Sequence, residues 1–105
     1  MPIELLSAID EANATSSPAN RLVAEEDASL VAAAKARDTR AFELLVERHE
    51  RKIFLTAQRI TRNREDAEDV VQQSFQKAFI NLKQFEGDSL FSTWLTRIAI
   101  NEASF

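Results

Sequence analysis

Beyond residue 26, apolar side chains recur at spacings of three and four residues, which is the spacing of one face of an α-helix. This pattern predicts four helices around one shared core. Residues that favour helix ends predict the bounds. The first helix begins at the N-cap Asp27, and the second covers residues 39–62, with Thr39 as its cap and Asn63 as its stop. The third covers residues 65–83, and Ser89 caps the last.

Each predicted helix carries an apolar stripe, and we assign these stripes to the core. The stripe of the second helix contains Phe42, Leu45, Val46, Ile53, Ala57 and Ile60. The stripe of the third helix contains Ala67, Val70, Val71, Phe75, Ala78, Phe79 and Leu82. The stripe of the fourth helix contains Phe91, Trp94, Leu95 and Ile98. One Gly and two Pro in 105 residues favour long helices over a many-turned β fold. We therefore predict an all-α fold, a compact bundle of about four helices.

The N-terminal residues are the least regular part of the chain. Ile3, Leu6 and Ile9 form a short apolar stripe, and ANATSSPAN over residues 12–20 is typical of a linker because Ser, Asn and Pro favour turns. We predict an N-terminal extension and linker over residues 1–26 and one helical domain over residues 27–105. The last predicted helix still continues at Phe105, which suggests a fragment of a longer protein.

The net charge of −4 argues at first against a nucleic-acid binder. Seven acids and three bases lie in residues 1–38, whereas residues 39–105 carry ten of each, so the acidity belongs to the N-terminal third. The neutral helical region predicts weak binding to duplex DNA by the chain alone. The chain has no Cys and no apolar run near the ~20 residues of a membrane span, and its acidic first residues predict no signal peptide, which fits a cytoplasmic protein.

No residue pattern typical of catalysis is present. His49, the single histidine, lies near the apolar face of the second helix, and we interpret it as a packed residue. The acidic run over residues 65–69 complements the positive end of the third helix. Because residues 65 and 66 point apart on a helix, a carboxylate metal site is not favoured. We predict no catalytic, cofactor-binding or metal-binding residues.

Two polar surfaces remain as candidate binding sites. The third helix carries a polar stripe on the side away from its core face, formed by Asp69, Gln73, Gln76 and Ile80, with Gln72 beside it. On the last helix Arg97 and Asn101 lie one turn apart, and both residue types can read base edges. From periodicity alone, either surface also fits an ordinary solvated face.

The order of these segments is more specific than any one of them. DAEDVVQQSFQKAFINLKQF at residues 66–85 and EGDSLFSTWLTRIAINEA at residues 86–103 follow a helix with the sequence AFELLVERHERKIFLTAQRIT at residues 41–61. Together they closely resemble the second region of the extracytoplasmic-function (ECF) sigma factors of bacterial RNA polymerase, over about residues 27–103. The resemblance implies a compact helical domain that binds core RNA polymerase and recognises the melted −10 promoter element.

The resemblance also implies which residues make these contacts. The third helix would dock on a coiled coil of the polymerase clamp through Asp69, Gln72, Gln73 and Gln76. The promoter DNA, mainly its single-stranded non-template strand, would contact Lys83, Gln84, Phe85, Gly87, Asp88, Ser89, Arg97 and Asn101. Our hypothesis is that the loop over residues 84–90 captures one flipped base, with Phe85 as its stacking surface. An anti-sigma factor is a further candidate partner.

Two parts of the family pattern are missing from these residues: the helix-turn-helix domain that reads the upstream promoter element, and the basic run that often follows the final helix. Two other interpretations stay open. A helical protein-binding adaptor or anti-sigma-like module without DNA binding would use only the polar stripe of the third helix. A small hydrolase or metal-binding four-helix domain would need carboxylates and His facing inward, and the inward stripes are almost wholly apolar.

Overall fold

The computed structural model describes residues 18–104, with side chains from residue 21 onward. These residues form four α-helices and one 3₁₀ turn: α1 (Pro18–Lys35), α2 (Thr39–Thr61), α3 (Arg64–Ile80), the 3₁₀ turn (Leu82–Gln84) and α4 (Phe91–Ala103). No strand occurs in this range, and the predicted all-α fold is confirmed. α2 is central, since it packs against α1, α3 and α4.

α1 begins earlier than the apolar pattern predicted. Its first residue is Pro18, and Pro suits this position because its fixed φ is helical and the missing N–H has no partner there. The predicted N-cap at Asp27 is therefore wrong, because Asp27 lies in the middle of α1 and is only 5% exposed. Residues 18–20 of the predicted linker are helical, while the stripe of residues 3–9 lies outside the described residues.

A three-residue connection joins α1 to α2. The amide of Arg37 donates to the carbonyl of Ala34 and the amide of Asp38 to that of Ala33, each at 3.0 Å. This pair of hydrogen bonds is the Schellman motif, which needs a left-handed residue, and Arg37 supplies it with φ 73°. Asp38 is the N-cap of α2, since its carboxylate accepts from the Ala41 amide at 3.2 Å. The predicted cap at Thr39 is wrong by one residue.

The α2–α3 connection is one residue shorter and consists of Arg62 and Asn63. Arg62 ends α2 with φ 55°, and its amide donates to the Gln58 carbonyl. Asn63 was predicted as the stop of α2, and the structure makes it the N-cap of α3, with its side-chain oxygen accepting from the Asp66 amide at 2.9 Å. Glu65 and Asp66 lie in the first turn of α3, where carboxylates are stabilised by the positive end of the helix.

The third helix and the start of the fourth differ from the prediction. α3 ends at Ile80 rather than Lys83, and the chain then tightens into the 3₁₀ turn. The N-cap of α4 is Leu90, which has no side-chain hydrogen bond to offer, so the predicted cap at Ser89 is wrong. The Ser89 hydroxyl instead donates to the Leu90 carbonyl at 3.3 Å.

The core lies between the apolar stripes, with Leu45, Ile53 and Leu95 completely buried. Two predicted core residues are exposed: Ile60 by 40% and Phe79 by 53%. Both lie in the last turn of their helices. Among residues 18–104, no helix has the length and apolar character needed to cross a membrane.

Candidate functional site

The connection between α3 and α4 is built in two steps. The Asn81 side-chain amide donates to the Lys77 carbonyl at 2.9 Å and so ends α3, and the Phe85 amide closes the 3₁₀ turn on the Leu82 carbonyl at 3.1 Å. Residues 86–90, which we call the α4 loop, then run without helix or strand to α4. Gly87 has φ 81°, a left-handed conformation that favours Gly, although a Cβ there would meet no atom within 4 Å.

Phe85 lies in an aromatic cluster and not on the surface. It is 6% exposed, and its ring lies 5.9 Å from that of Phe91 and 5.1 Å from that of Trp94. The prediction that the Phe85 ring offers a free stacking surface does not match this packing, because both neighbours belong to α4 and cover it. The ring instead fixes the entrance of the α4 loop against the start of α4.

Lys35, in the last turn of α1, contacts the same entrance. Its ammonium group donates to the Phe85 carbonyl, and Nζ lies 5.9 Å from the centre of the Phe85 ring. A cation over an aromatic face adds electrostatic attraction to the hydrogen bond. The C-terminal end of α1 therefore holds Phe85, the residue directly before the α4 loop.

A charged network joins α1 to α2. Asp27 accepts a hydrogen bond from Arg48 Nε at 2.8 Å through one carboxylate oxygen, and the other oxygen lies 2.8 Å from His49 Nε2. An ionised carboxylate only accepts, so His49 donates. Arg48 also pairs with Glu26 at 2.8 Å. Asp27 and His49 are both buried, which makes this pairing necessary for their polar groups.

The environment of Asp27 favours its charged form. Burial by itself would raise the pKa of the Asp27 carboxyl. The hydrogen bond and charge of His49, followed by those of Arg48, outweigh burial and hold the pKa of Asp27 below its usual value. The interpretation of His49 as a packed residue is confirmed, and its ring also lies 5.6 Å from that of Phe91, the first residue of α4. The network thus supports the far end of the α4 loop.

The α4 loop faces α1 and α2 across an open groove of about 970 Å³. Apolar residues of α1, including Val23 and Val31, form one wall, and the α4 loop forms another. The polar groups that line the groove include Lys35, Lys52 and Ser89. The groove opens beside the exposed part of the loop.

The remaining predicted DNA-contacting residues lie around this loop. Lys83 and Gln84 are exposed in the 3₁₀ turn, Gly87 and Asp88 are exposed in the α4 loop, and Ser89 is half-buried. Arg97 and Asn101 are exposed on α4 and one turn apart. The structure therefore places all of them but Phe85 within reach of solvent.

The predicted polymerase-binding residues form one exposed surface on α3. Asp69, Gln72, Gln73 and Gln76 are all exposed. Ile80 continues their stripe and is 75% exposed, an unusual position for Ile, and Phe79 packs edge-on against Phe42 with ring centres 5.0 Å apart. We call the surface of Asp69, Gln72, Gln73, Gln76 and Ile80 the α3 surface.

Sequence reasoning missed the residues that hold the α4 loop. Asp27 lies 22 positions from His49, and Lys35 lies 50 positions from Phe85, so no local pattern relates either pair. The one available signal was Pro18, which suits the start of a helix and would have placed Asp27 inside α1. Among residues 18–104, no group of His, Asp and Glu has the arrangement of a metal site.

Fold and site together define a small helical domain with a supported loop and two exposed polar surfaces. The family model for Sigma-70 region 2 matches residues 45–104 of the chain. This match covers more than half of the chain and includes most of α2 and all of α3, the α4 loop and α4. The chain therefore belongs to the Sigma-70 region 2 family.

Curated relatives narrow the type of sigma factor. The chain is 45% identical over 82 residues to the RNA polymerase sigma-H factor of Pseudomonas aeruginosa, covering 78% of this chain and 42% of that protein. It is 46% identical over 78 residues to the ECF RNA polymerase sigma-E factor of Haemophilus influenzae, covering 73% of this chain and 40% of that protein. The sigma-E factor of Escherichia coli K12 is 44% identical over 77 residues, with 73% and 40% covered. The resemblance to ECF sigma factors is confirmed, and the chain spans about two fifths of these relatives' length.

Proposed function

We propose that the chain is the part of an ECF sigma factor that binds core RNA polymerase and recognises the melted −10 promoter element. The α3 surface binds the coiled coil of the polymerase clamp. The α4 loop and the exposed side of α4 bind the single-stranded non-template strand. The domain works by binding rather than by catalysis, and it acts in the bacterial cytoplasm, where polymerase and promoter meet.

The observation that carries this proposal is the support of the α4 loop at both ends. Lys35 holds the carbonyl of Phe85 before the loop, and His49 contacts the ring of Phe91 after it. Between these points Glu86, Gly87 and Asp88 are exposed. A loop that is already ordered loses less conformational entropy when it binds, which suits a site that must recognise one base among four.

The burial of Phe85 changes how the base is held in this proposal. The polar groups of Asp88 and Ser89 and the backbone at Gly87 meet the edge of the flipped base, and the groove beside them accepts it. Lys83 and Arg97 hold the flanking phosphates. Gln84 and Asn101 contact neighbouring bases, since amides can bond to base edges. Phe85 positions the loop from within the core.

The test exchanges residues 86–90 for those of a sigma factor with a different −10 preference. We expect the preference for single-stranded −10 oligonucleotides, measured by fluorescence anisotropy on the complex of core polymerase with the full chain, to follow the exchanged loop. Exchange of the α1–α2 connection, residues 36–38, is the matched control and should leave the preference unchanged. A preference that stays with the rest of the domain contradicts base capture by the α4 loop.

A protein-binding module without DNA contacts is the second candidate, and the 75% exposure of Ile80 beside polar residues favours it. In that case the α3 surface would be the whole functional site, with polymerase or an anti-sigma factor as its partner. The complex with core polymerase separates the two candidates. Equal binding of −10 and scrambled oligonucleotides supports the protein-binding module.

A further inference from the structure

The exposed side of α2 carries a second feature that the α4 loop and the α3 surface do not use. Between residues 51 and 62 the sequence contains four bases and no acid. A helix advances about 100° per residue, so Arg51, Lys52 and Arg59 fall within about one third of the circumference of α2, and Arg62 follows directly after its last residue. We call these four residues the α2 basic face. Its helical part, from Arg51 to Arg59, is about 12 Å long at 1.5 Å per residue.

These four bases differ from the other bases of α2 in their surroundings. Arg40 pairs with Glu43 at 3.1 Å, and Arg48 pairs with Glu26 and Asp27 at 2.8 Å. Among residues 18–104, no carboxylate lies within ion-pair distance of any member of the α2 basic face. All four are exposed. Glu47 lies one turn before Arg51 but pairs with Arg40 at 3.4 Å, and Glu50 lies on a different side of α2.

The position of the face indicates its partner. Lys52 lines the groove between α1, α2 and the α4 loop, so the face begins where the loop presents its exposed residues and continues away from it along α2. Cations in a row suit a row of phosphates, because each contact releases condensed counterions. An acidic protein segment also carries negative charge, but continuity with the groove beside the loop favours the strand that the loop binds. Leu55, exposed between Lys52 and Arg59, offers an apolar contact to a sugar.

We propose that the α2 basic face binds the phosphate backbone of single-stranded DNA that continues from the segment held by the α4 loop. This proposal rests on the proposed function, and it adds a contact that depends on phosphates and not on base sequence. The face would lengthen the bound strand beyond the bases that the α4 loop and α4 recognise.

The test removes charge from the face and measures the salt dependence of DNA binding. The variant Arg51→Gln/Lys52→Gln/Arg59→Gln keeps good helix formers in α2, and Arg62 is left unchanged because it ends the helix in a left-handed conformation. The matched control, Arg40→Gln/Arg64→Gln/Lys77→Gln, removes the same charge from exposed helical bases outside the face. Each is bound as full chain to core polymerase and titrated with a long and a short −10 oligonucleotide at several salt concentrations.

We expect the slope of log affinity against log salt to fall by about 2 for the long oligonucleotide in the first variant, at ~0.7 for each lost phosphate contact on a single strand. The control should keep the slope of the unmodified chain. With the short oligonucleotide, the slopes of the two variants should differ little. An unchanged slope in the first variant overturns the proposal. Loss of polymerase binding in that variant also overturns it, because the face would then contact protein. If the unmodified complex shows no −10 preference, it is the proposed function that fails.

Discussion

Arg37 occupies a backbone position that normally belongs to Gly. Its φ of 73° places an L side chain in the left-handed region, which costs about 1–2 kcal/mol. The conformation persists because it allows the two hydrogen bonds that end α1 and bring Asp38 into position as the N-cap of α2. One residue thus stores strain so that two helices can be joined by a short connection.

We expect Arg37→Gly to stabilise the domain by about 0.5–1 kcal/mol, because relief of the left-handed strain exceeds the extra entropy that Gly loses on folding. Urea denaturation should show a higher midpoint with an unchanged slope. Arg51→Gly is the control, since Arg51 lies inside α2, and it should destabilise by about 0.5–1 kcal/mol. A lower midpoint for Arg37→Gly would contradict the argument.

Asp27 is the second residue whose surroundings set a measurable property. We expect Asp27→Asn to destabilise the domain by about 1–3 kcal/mol at pH 7, because it leaves buried His49 and Arg48, whose side chain is 27% exposed, without their carboxylate. The pKa of Asp27 is lower in the folded chain than its ordinary 3.8. The stability from its charge is therefore present above 3.8 and is lost as the pH falls through the lower folded value.

Urea denaturation at pH 7, 5, 4 and 3 tests this prediction. The difference in unfolding free energy between the unmodified chain and Asp27→Asn should shrink as the pH falls below 3.8. Glu26→Gln is the control: the Glu26 side chain is 61% exposed, so loss of its pair with Arg48 should change stability by less than ~1 kcal/mol. A difference that does not vary with pH would show that the network acts through packing alone.

At the scale of the helices, the sequence predicts what depends on local periodicity. The core stripes of α2, α3 and α4 are largely correct because a buried face must repeat with the helix. The ends are less predictable, because several adjacent residues can cap and the choice depends on the turn before them. Asp38 rather than Thr39 caps α2 because the left-handed Arg37 directs the chain that way. At the start of α4 the N-cap is Leu90, although the neighbouring Ser89 is the better cap by residue type.

The support of the α4 loop could not be read from periodicity, because it depends on contacts between distant residues. From the sequence alone, Lys35 is expected to be an exposed base near a helix end, and Phe85 is expected to be an aromatic residue in a turn. Only the packing of α1 on the 3₁₀ turn brings the two together. The exposure of the candidate binding residues on α3 and α4 could be predicted from the sequence, since a residue opposite the core stripe of a helix is expected to face solvent.

The α3 surface carries a prediction at this scale. We expect Asp69→Lys to weaken binding to core polymerase by tenfold or more, because a few interface residues supply most of the binding energy. Its stability should change by less than ~0.5 kcal/mol, because Asp69 is exposed and forms no ion pair among the described residues. Glu50→Lys on α2, also exposed, is the charge-matched control and should bind normally. Unchanged binding by Asp69→Lys together with Gln73→Lys and Gln76→Lys would exclude the α3 surface as the site.

For the molecule as a whole, net charge conceals how charge is distributed. Residues 39–105 carry ten acids and ten bases. The structure separates many of them: acids gather at the start of α3, and the α2 basic face contains none. A neutral sum is therefore compatible with a surface suited to a DNA strand. The sum still governs long-range attraction to DNA, because at a distance the opposite charges cancel.

This difference leads to a prediction about the isolated chain. With a net charge of −4 and one short basic face, it should bind duplex DNA with a dissociation constant of about 10⁻⁴ M or weaker at physiological salt, since few counterions are released and the bases of a duplex are stacked inside. Core polymerase should strengthen binding to single-stranded −10 DNA by at least tenfold and add sequence preference, because the complex holds the strand against the α4 loop. Fluorescence anisotropy with duplex, single-stranded and scrambled oligonucleotides, with and without polymerase, measures each quantity. Micromolar, sequence-specific duplex binding by the isolated chain would contradict this division of roles, since the domain would then recognise its site without melted DNA.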